Sequence, residues 1–134
     1  MITCDTSVLV AAFARWHTEH PLAVAALTRV DAVIEHALIE TFSVLTRLPP
    51  PRRVPAQLVT SFLDKHFTPS TSRLAGAPSA DVLHVAESTA VIGGAVYDLV
   101  IALSAARAGA VVLTLDRRAA STYDAAGVDY ELLS

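Results

Sequence analysis

Short apolar runs along the chain alternate with longer stretches in which apolar positions recur at helical spacing, and this alternation predicts the elements. Residues 2–5 read as a strand, and Thr6 or Ser7 can cap a helix over about 8–15. Pro21 suits the first turn of a helix over about 22–29. Ala32, Val33 and Ile34 form a second strand, followed at once by a helix over about 36–47 that Pro49, Pro50 and Pro51 bring to an end. Pro55 leads into a helix over 56–66, and a short strand falls over 67–72. Ser79 caps a helix to about residue 92, where Gly93 and Gly94 stop it. A strongly apolar helix over about 95–107 is closed by Gly109, the clearest strand spans 110–115, a polar helix runs from Asp116 to near Gly127, and 128–132 form a last strand. Strands alternating with helices imply an α/β fold with a parallel sheet covered on both faces. No repeat or low-complexity linker interrupts the chain, so residues 1–134 read as one domain.

Composition narrows the class. Apolar residues make up 53% of the 134 positions and charged residues 17%, which excludes a disordered chain. The longest uncharged stretches reach about half the roughly 20 residues of a membrane span, and the amino terminus lacks the form of a signal peptide. The single Cys4 lies within a strand with no basic neighbour in sequence, as expected of a buried structural thiol in a cytoplasmic protein. The net charge of −3 argues against coating nucleic acid by bulk electrostatics. Any such contact has to come from local arginines or from a bound cation.

The chemistry concentrates in four acids. In open parallel sheets, function collects beyond the carboxyl ends of the strands, where Asp5 and Asp116 fall; each alone reads equally as a helix cap. Asp98 is the only charged residue of the apolar stretch 95–106. A carboxylate within a buried helix is costly unless it is paired or binds metal. Glu40 lies one turn into its helix on a face shared with His36 and Arg47, so that a solvated pair with Arg47 stands beside a role as ligand. Four convergent acids would raise one another's pKa values unless a cation compensated them. Mg²⁺ and Mn²⁺ suit carboxylate oxygens, can acidify a bound water and can shield a phosphate during in-line displacement. The five histidines match no zinc spacing and read as surface or capping groups. Trp16 reads as core or dimer surface, with base stacking as the other option.

Asp5-Thr6-Ser7-Val8 after the first strand, Glu40 in the third helix, Tyr97-Asp98 after the glycine pair, and Thr114-Leu115-Asp116-Arg117-Arg118 at a strand end together resemble a PIN domain over essentially the whole chain. The length resembles the VapC-like toxin subunit of type II toxin–antitoxin pairs. The resemblance implies a three-layer α/β/α fold around a central, mostly parallel sheet. It also implies a Mg²⁺- or Mn²⁺-dependent endoribonuclease that cuts structured RNA, tRNA or ribosomal RNA, and so inhibits translation. The implied partners are a second copy, giving a homodimer, and an antitoxin whose carboxyl-terminal segment obstructs the acid pocket. By the same match Asp5 and Asp98 would be the principal metal ligands, with Asp116 and Glu40 completing the site, partly through water. Thr6, Ser7 and Thr114 would orient the carboxylates. An arm of the third and fourth helices would bring Arg47, Arg52 and Arg53 to RNA, and Arg117 or Arg118 could hold a substrate phosphate.

Other readings compete with this one. A phospho-accepting receiver domain also gathers acids around Mg²⁺, but it needs a late lysine, and none follows Lys65. Nucleotide binding lacks its glycine motifs. A PIN-like scaffold that binds RNA or protein without cutting is the remaining alternative.

Overall fold

In the computed structural model, which describes residues 1–68 and 72–134, the chain order is β1 (Ile2–Cys4), α1 (Thr6–Phe13), α2 (His20–Leu27), β2 (Val33–Ile34), α3 (Glu35–Thr46), α4 (Ala56–His66), β3 (Arg73–Leu74), α5 (Ser79–Thr89), α6 (Ala95–Arg107), β4 (Val111–Thr114), α7 (Arg117–Ala126) and β5 (Tyr130–Leu132). The α/β alternation is as expected, and every pairing among the described strands is parallel. β4 lies between β1 and β5, with Ile2 opposite Val111 and Thr114 opposite Leu132. β2 pairs with β3 in a separate two-stranded ladder. It is tied to β1 through Asp31, whose N–H donates to the Ile2 carbonyl at 2.8 Å and whose carboxylate accepts from the Ile2 N–H at 2.8 Å.

The helices fall into two packed groups, α1 to α4 and α5 to α7, with α3 and α6 in contact between them. The main core joins Val8, Leu9, Val33, Ile34, Leu45, Ile101, Val112 and Leu113, all essentially without solvent exposure, and a smaller cluster gathers Val82, Ala86 and Leu99. Alanine fills the closest approaches: Ala11, Ala23, Ala37, Ala102 and Ala105 are fully buried. A small side chain there lets helices lie close to their neighbours at native packing density.

Several ends differ from the sequence reading. Asp5, not Thr6 or Ser7, caps α1: its carboxylate accepts the Ser7 N–H at 3.0 Å, which outcompetes the shorter hydroxyls one and two positions on. Ser79 is the first residue of α5 and makes no cap bond, because Pro78 takes the cap position. α5 stops at Ala90, which adopts left-handed φ of 56°, before the Gly93–Gly94 pair is reached. The expected strand over 67–72 begins where Phe67 closes α4; residues 69–71 lie outside the described residues, and the strand itself is Arg73–Leu74. Among the described residues, no helix is long and apolar enough to cross a membrane.

Leu113 is fully buried in the central strand. Leu113→Ala leaves a cavity in the main core and is expected to destabilise the fold by about 2–5 kcal/mol, read as a lower midpoint in urea unfolding.

Candidate active site

Two strand–helix junctions, the second turn of α3 and the first turn of α6 deliver the four acids. Asp5 follows β1, where its N–H donates to the Leu113 carbonyl at 3.2 Å, so the β1–β4 pairing itself fixes its place. Asp116 leaves β4 and caps α7, its carboxylate accepting the Arg118 N–H at 2.9 Å. Glu40 sits in α3 directly after β2, and Asp98 in the first turn of α6. All four line one open cavity of about 630 Å³. The fold therefore brings together every acid singled out in the sequence.

Asp5 is the most enclosed of them, 4% exposed. One carboxylate oxygen accepts from the backbone N–H and the hydroxyl of Ser7, and the other accepts the Tyr123 hydroxyl at 2.9 Å. Ser7 Oγ also accepts the Leu115 N–H at 2.9 Å, and Thr114 Oγ1 accepts the Asp116 N–H at 3.0 Å. Ser7 thus ties the β1 and β4 ends together, and the buried Thr114 orients the turn that carries Asp116. Burial pushes the Asp5 carboxyl above its ordinary range, while hydrogen bonds from Ser7, Thr114 and Tyr123 pull it back.

Asp98 is half-buried and its pKa is pushed up to about 7, first by burial and then by the charges of Asp5, Asp116 and Glu40. Glu40 is also raised, by burial above all and by Asp5, against the lowering effect of His36. The expected partner Arg47 is not the one found. His36 Nε2 lies 2.9 Å from Glu40 Oε1, at ion-pair distance but off hydrogen-bond geometry, whereas Arg47 reaches Ser43 Oγ at 3.4 Å. The i, i+4 spacing favours His36 because its shorter side chain meets Glu40 across one turn.

Among the described residues, no three His, Cys, Asp or Glu side chains close into a tight metal cage. The acids instead stand around an open space. The donor set fits a divalent cation there: carboxylates whose charges hold one another's protons on, with the Thr6 hydroxyl beside Glu40 at the same cavity wall. A hard ion that keeps part of its water shell suits a ring of oxygen donors set apart in this way.

Of the arginines, Arg117 and Arg118 line the cavity. Arg52 lies over Trp16, Arg53 donates to the Leu48 carbonyl at 2.9 Å, and Arg47 borders an adjoining cavity with Tyr97. Sequence reasoning did not single out Tyr123, though its place with Ala119 and Ala120 on the apolar face of α7 was a usable signal. Nor did it place His17 at the acid cavity, where the structure puts it; its neighbourhood gives no periodic cue. Cys4 is buried as expected, its thiol raised by burial and by Asp5.

A parallel α/β fold in which two strand ends and two helices bring four carboxylates to one cavity is the architecture of a PIN-type nuclease. The chain belongs to the PIN-domain family, whose model matches residues 2–125. Within it, the chain is a homologue of the VapC ribonucleases, toxins of toxin–antitoxin systems. It is 47% identical to ribonuclease VapC40 of Mycobacterium tuberculosis over 136 aligned residues, covering 100% of both chains. Its fold is similar to that of FitAcB from Neisseria gonorrhoeae, with a TM-score of 0.69 at 19% identity, covering 97% of this chain and 96% of the other. It is also similar to VapC20 of Mycobacterium tuberculosis, described as a sarcin–ricin loop cleaving toxin, with a TM-score of 0.67 at 19% identity over 96% of each chain. The receiver-domain reading is thereby set aside.

Two outcomes are expected. Asp98 titrates at about 7 in the folded chain against an ordinary 3.8, so between these values the folded state holds a proton that the unfolded chain has released. Without divalent metal, the melting temperature should therefore fall as pH rises from about 4 to about 7; a flat profile in a chelator-treated sample would contradict this. Tyr123→Phe leaves the packing intact but takes a donor from the buried Asp5, and should cost about 1–3 kcal/mol, measured by chemical denaturation at neutral pH.

Proposed function

We propose that this chain is a Mg²⁺- or Mn²⁺-dependent endoribonuclease that cuts structured cellular RNA, tRNA or ribosomal RNA, and so arrests translation. The observation that carries the reading is the convergence of Asp5, Glu40, Asp98 and Asp116 on one cavity, with Asp98 driven towards neutrality by burial and then by the charges of the other three. Such repulsion is a standing cost to the fold, and a divalent ion relieves it. The description of VapC20 as a sarcin–ricin loop cleaving toxin supports a structured ribosomal RNA as one substrate class.

In this reading Asp5 and Asp98 hold the ion, and Asp116 and Glu40 complete its surroundings, partly through water. When bound, the ion supplies an acidified water and a counter-charge for the phosphate under attack. The protein's own groups do the positioning. Ser7 and Tyr123 fix both oxygens of Asp5, and Thr114 holds the turn that presents Asp116. Thr6, also at the cavity wall, sets its hydroxyl towards Glu40 and favours that carboxyl's charged form. His36 beside Glu40 draws that carboxyl towards its charged form. Arg117 and Arg118, at the cavity wall, are placed to grip a phosphate of the strand. The partners are an antitoxin that obstructs the acid cavity, in keeping with the toxin family, and a second copy of the chain.

Asp98→Asn should abolish metal-dependent RNA cleavage and relieve growth arrest on expression while the circular dichroism spectrum stays unchanged. Mapping newly formed RNA 5′ ends in cells that express wild type and variant tests this, and cleavage by the variant would remove Asp98 from the site. Mn²⁺ at a hundredfold excess over its Kd should stabilise the wild type by about 2.7 kcal/mol. An unchanged melting curve at saturating Mn²⁺ would refute a preformed ion site.

A further inference from the structure

Beyond the acid cavity lies an aromatic that the chemistry does not use. Trp16, in the segment between α1 and α2, is 43% exposed, although indole is among the side chains that gain most from burial. The Arg52 guanidinium lies 4.2 Å from its ring centroid. The two are brought together from the α1–α2 and α3–α4 connections, so the contact is tertiary. His17, next in the chain, has its ring centroid 5.9 Å from that of Trp16 and lines the acid cavity. An exposed aromatic that carries a guanidinium plane is thus joined to the cavity wall through His17.

The charge distribution explains why a nuclease would need such a surface. The chain carries −3 overall, and five carboxylates line its cavity beside Arg117 and Arg118, so acids outnumber cations where a polyanion must enter. Counterion release, the usual source of affinity for nucleic acid, is correspondingly weak. Stacking a base on an aromatic ring needs no net positive charge, and every base offers a π face. An arginine held on the same ring adds a second planar surface and a partner for the phosphate.

We propose that Trp16 and Arg52 form a stacking platform for an unpaired base of the RNA strand next to the bond that is cut. The proposal rests on the ribonuclease reading and adds a requirement to it: the nucleotide at this position is out of the helical stack. Trp16 is then a substrate-binding residue, with Arg52 fixing its ring.

Trp16 is the only tryptophan in the chain, so its fluorescence reports on the platform directly. The Asp98→Asn protein, which leaves RNA uncut, is titrated with short oligoadenylate and with an abasic ribose-phosphate oligomer of equal length. Oligoadenylate is expected to quench the indole emission, and the abasic strand to leave it unchanged. Binding of labelled oligoadenylate, seen by polarisation, without quenching would overturn the platform, and so would no binding at all. In the active protein, Trp16→Ala should raise KM for a single-stranded RNA that carries the mapped cut site by about tenfold, the effect of one stacked base, with kcat unchanged and partial recovery in Trp16→Phe. An unaltered KM, or a loss confined to kcat, would mean that the pair merely ties two connections together. Weaker antitoxin binding by Trp16→Ala with RNA kinetics intact would assign the surface to a protein partner and defeat the proposal. Failure of the wild type to cut any RNA would strike the nuclease reading alone, since the fluorescence titration reads the platform without cleavage.

Discussion

The pairing of β1 with β4 governs this molecule. It places Cys4 opposite Leu113 and sets the ends of both strands side by side, so that Asp5 and Asp116 emerge at the same rim. Ser7 reinforces the junction from above, its hydroxyl joined at once to the Asp5 carboxylate and to the Leu115 N–H. The contact to Leu115 spans more than a hundred residues of sequence, while that to Asp5 is local. They hold a carboxylate inside the protein that would otherwise be expelled to water. The strand register, the buried acid and the cavity are therefore one arrangement, and loosening any of them loosens the other two.

Against this rigid pair the other two acids are less constrained. Glu40 and Asp98 project from the helices α3 and α6, which touch one another, and each is only partly enclosed. Their protonation is set first by burial and then by neighbouring charge, with Asp5 acting on both. The site thus combines a fixed half, held by hydrogen bonds, with a half whose electrostatics respond to whatever cation or phosphate enters. A ring of this kind sits well with an ion that exchanges part of its hydration shell during turnover.

Much of this was legible in the sequence, for identifiable reasons. Alternating short apolar runs and helical stretches gave the element order because each burial period leaves its own spacing. Asp98 stood out because a lone charge in an apolar helix has few physical explanations. The helix ends were harder. A cap depends on which of several neighbouring oxygens reaches the N–H, as Asp5 does in place of Thr6 or Ser7, and on single-residue conformations such as the left-handed Ala90. The split between the β1–β4–β5 sheet and the β2–β3 ladder was not legible either, since pairing between short strands is decided by tertiary packing. Partners such as His36 for Glu40 and Tyr123 for Asp5 emerge only once side-chain reach is known.

The central position of β4 also bears on how a cell makes such a protein. A nascent chain leaves the ribosome amino end first, and β4, which supplies the middle of the sheet, belongs to the final quarter of the sequence. Until that stretch has emerged, β1 lacks its strand partner, the Asp5 N–H lacks the Leu113 carbonyl, and Asp116 is absent. Long-range closures of this sort come late in folding. A site built on this plan cannot assemble piecemeal: its acids converge only when the strand that centres the sheet has joined the first one.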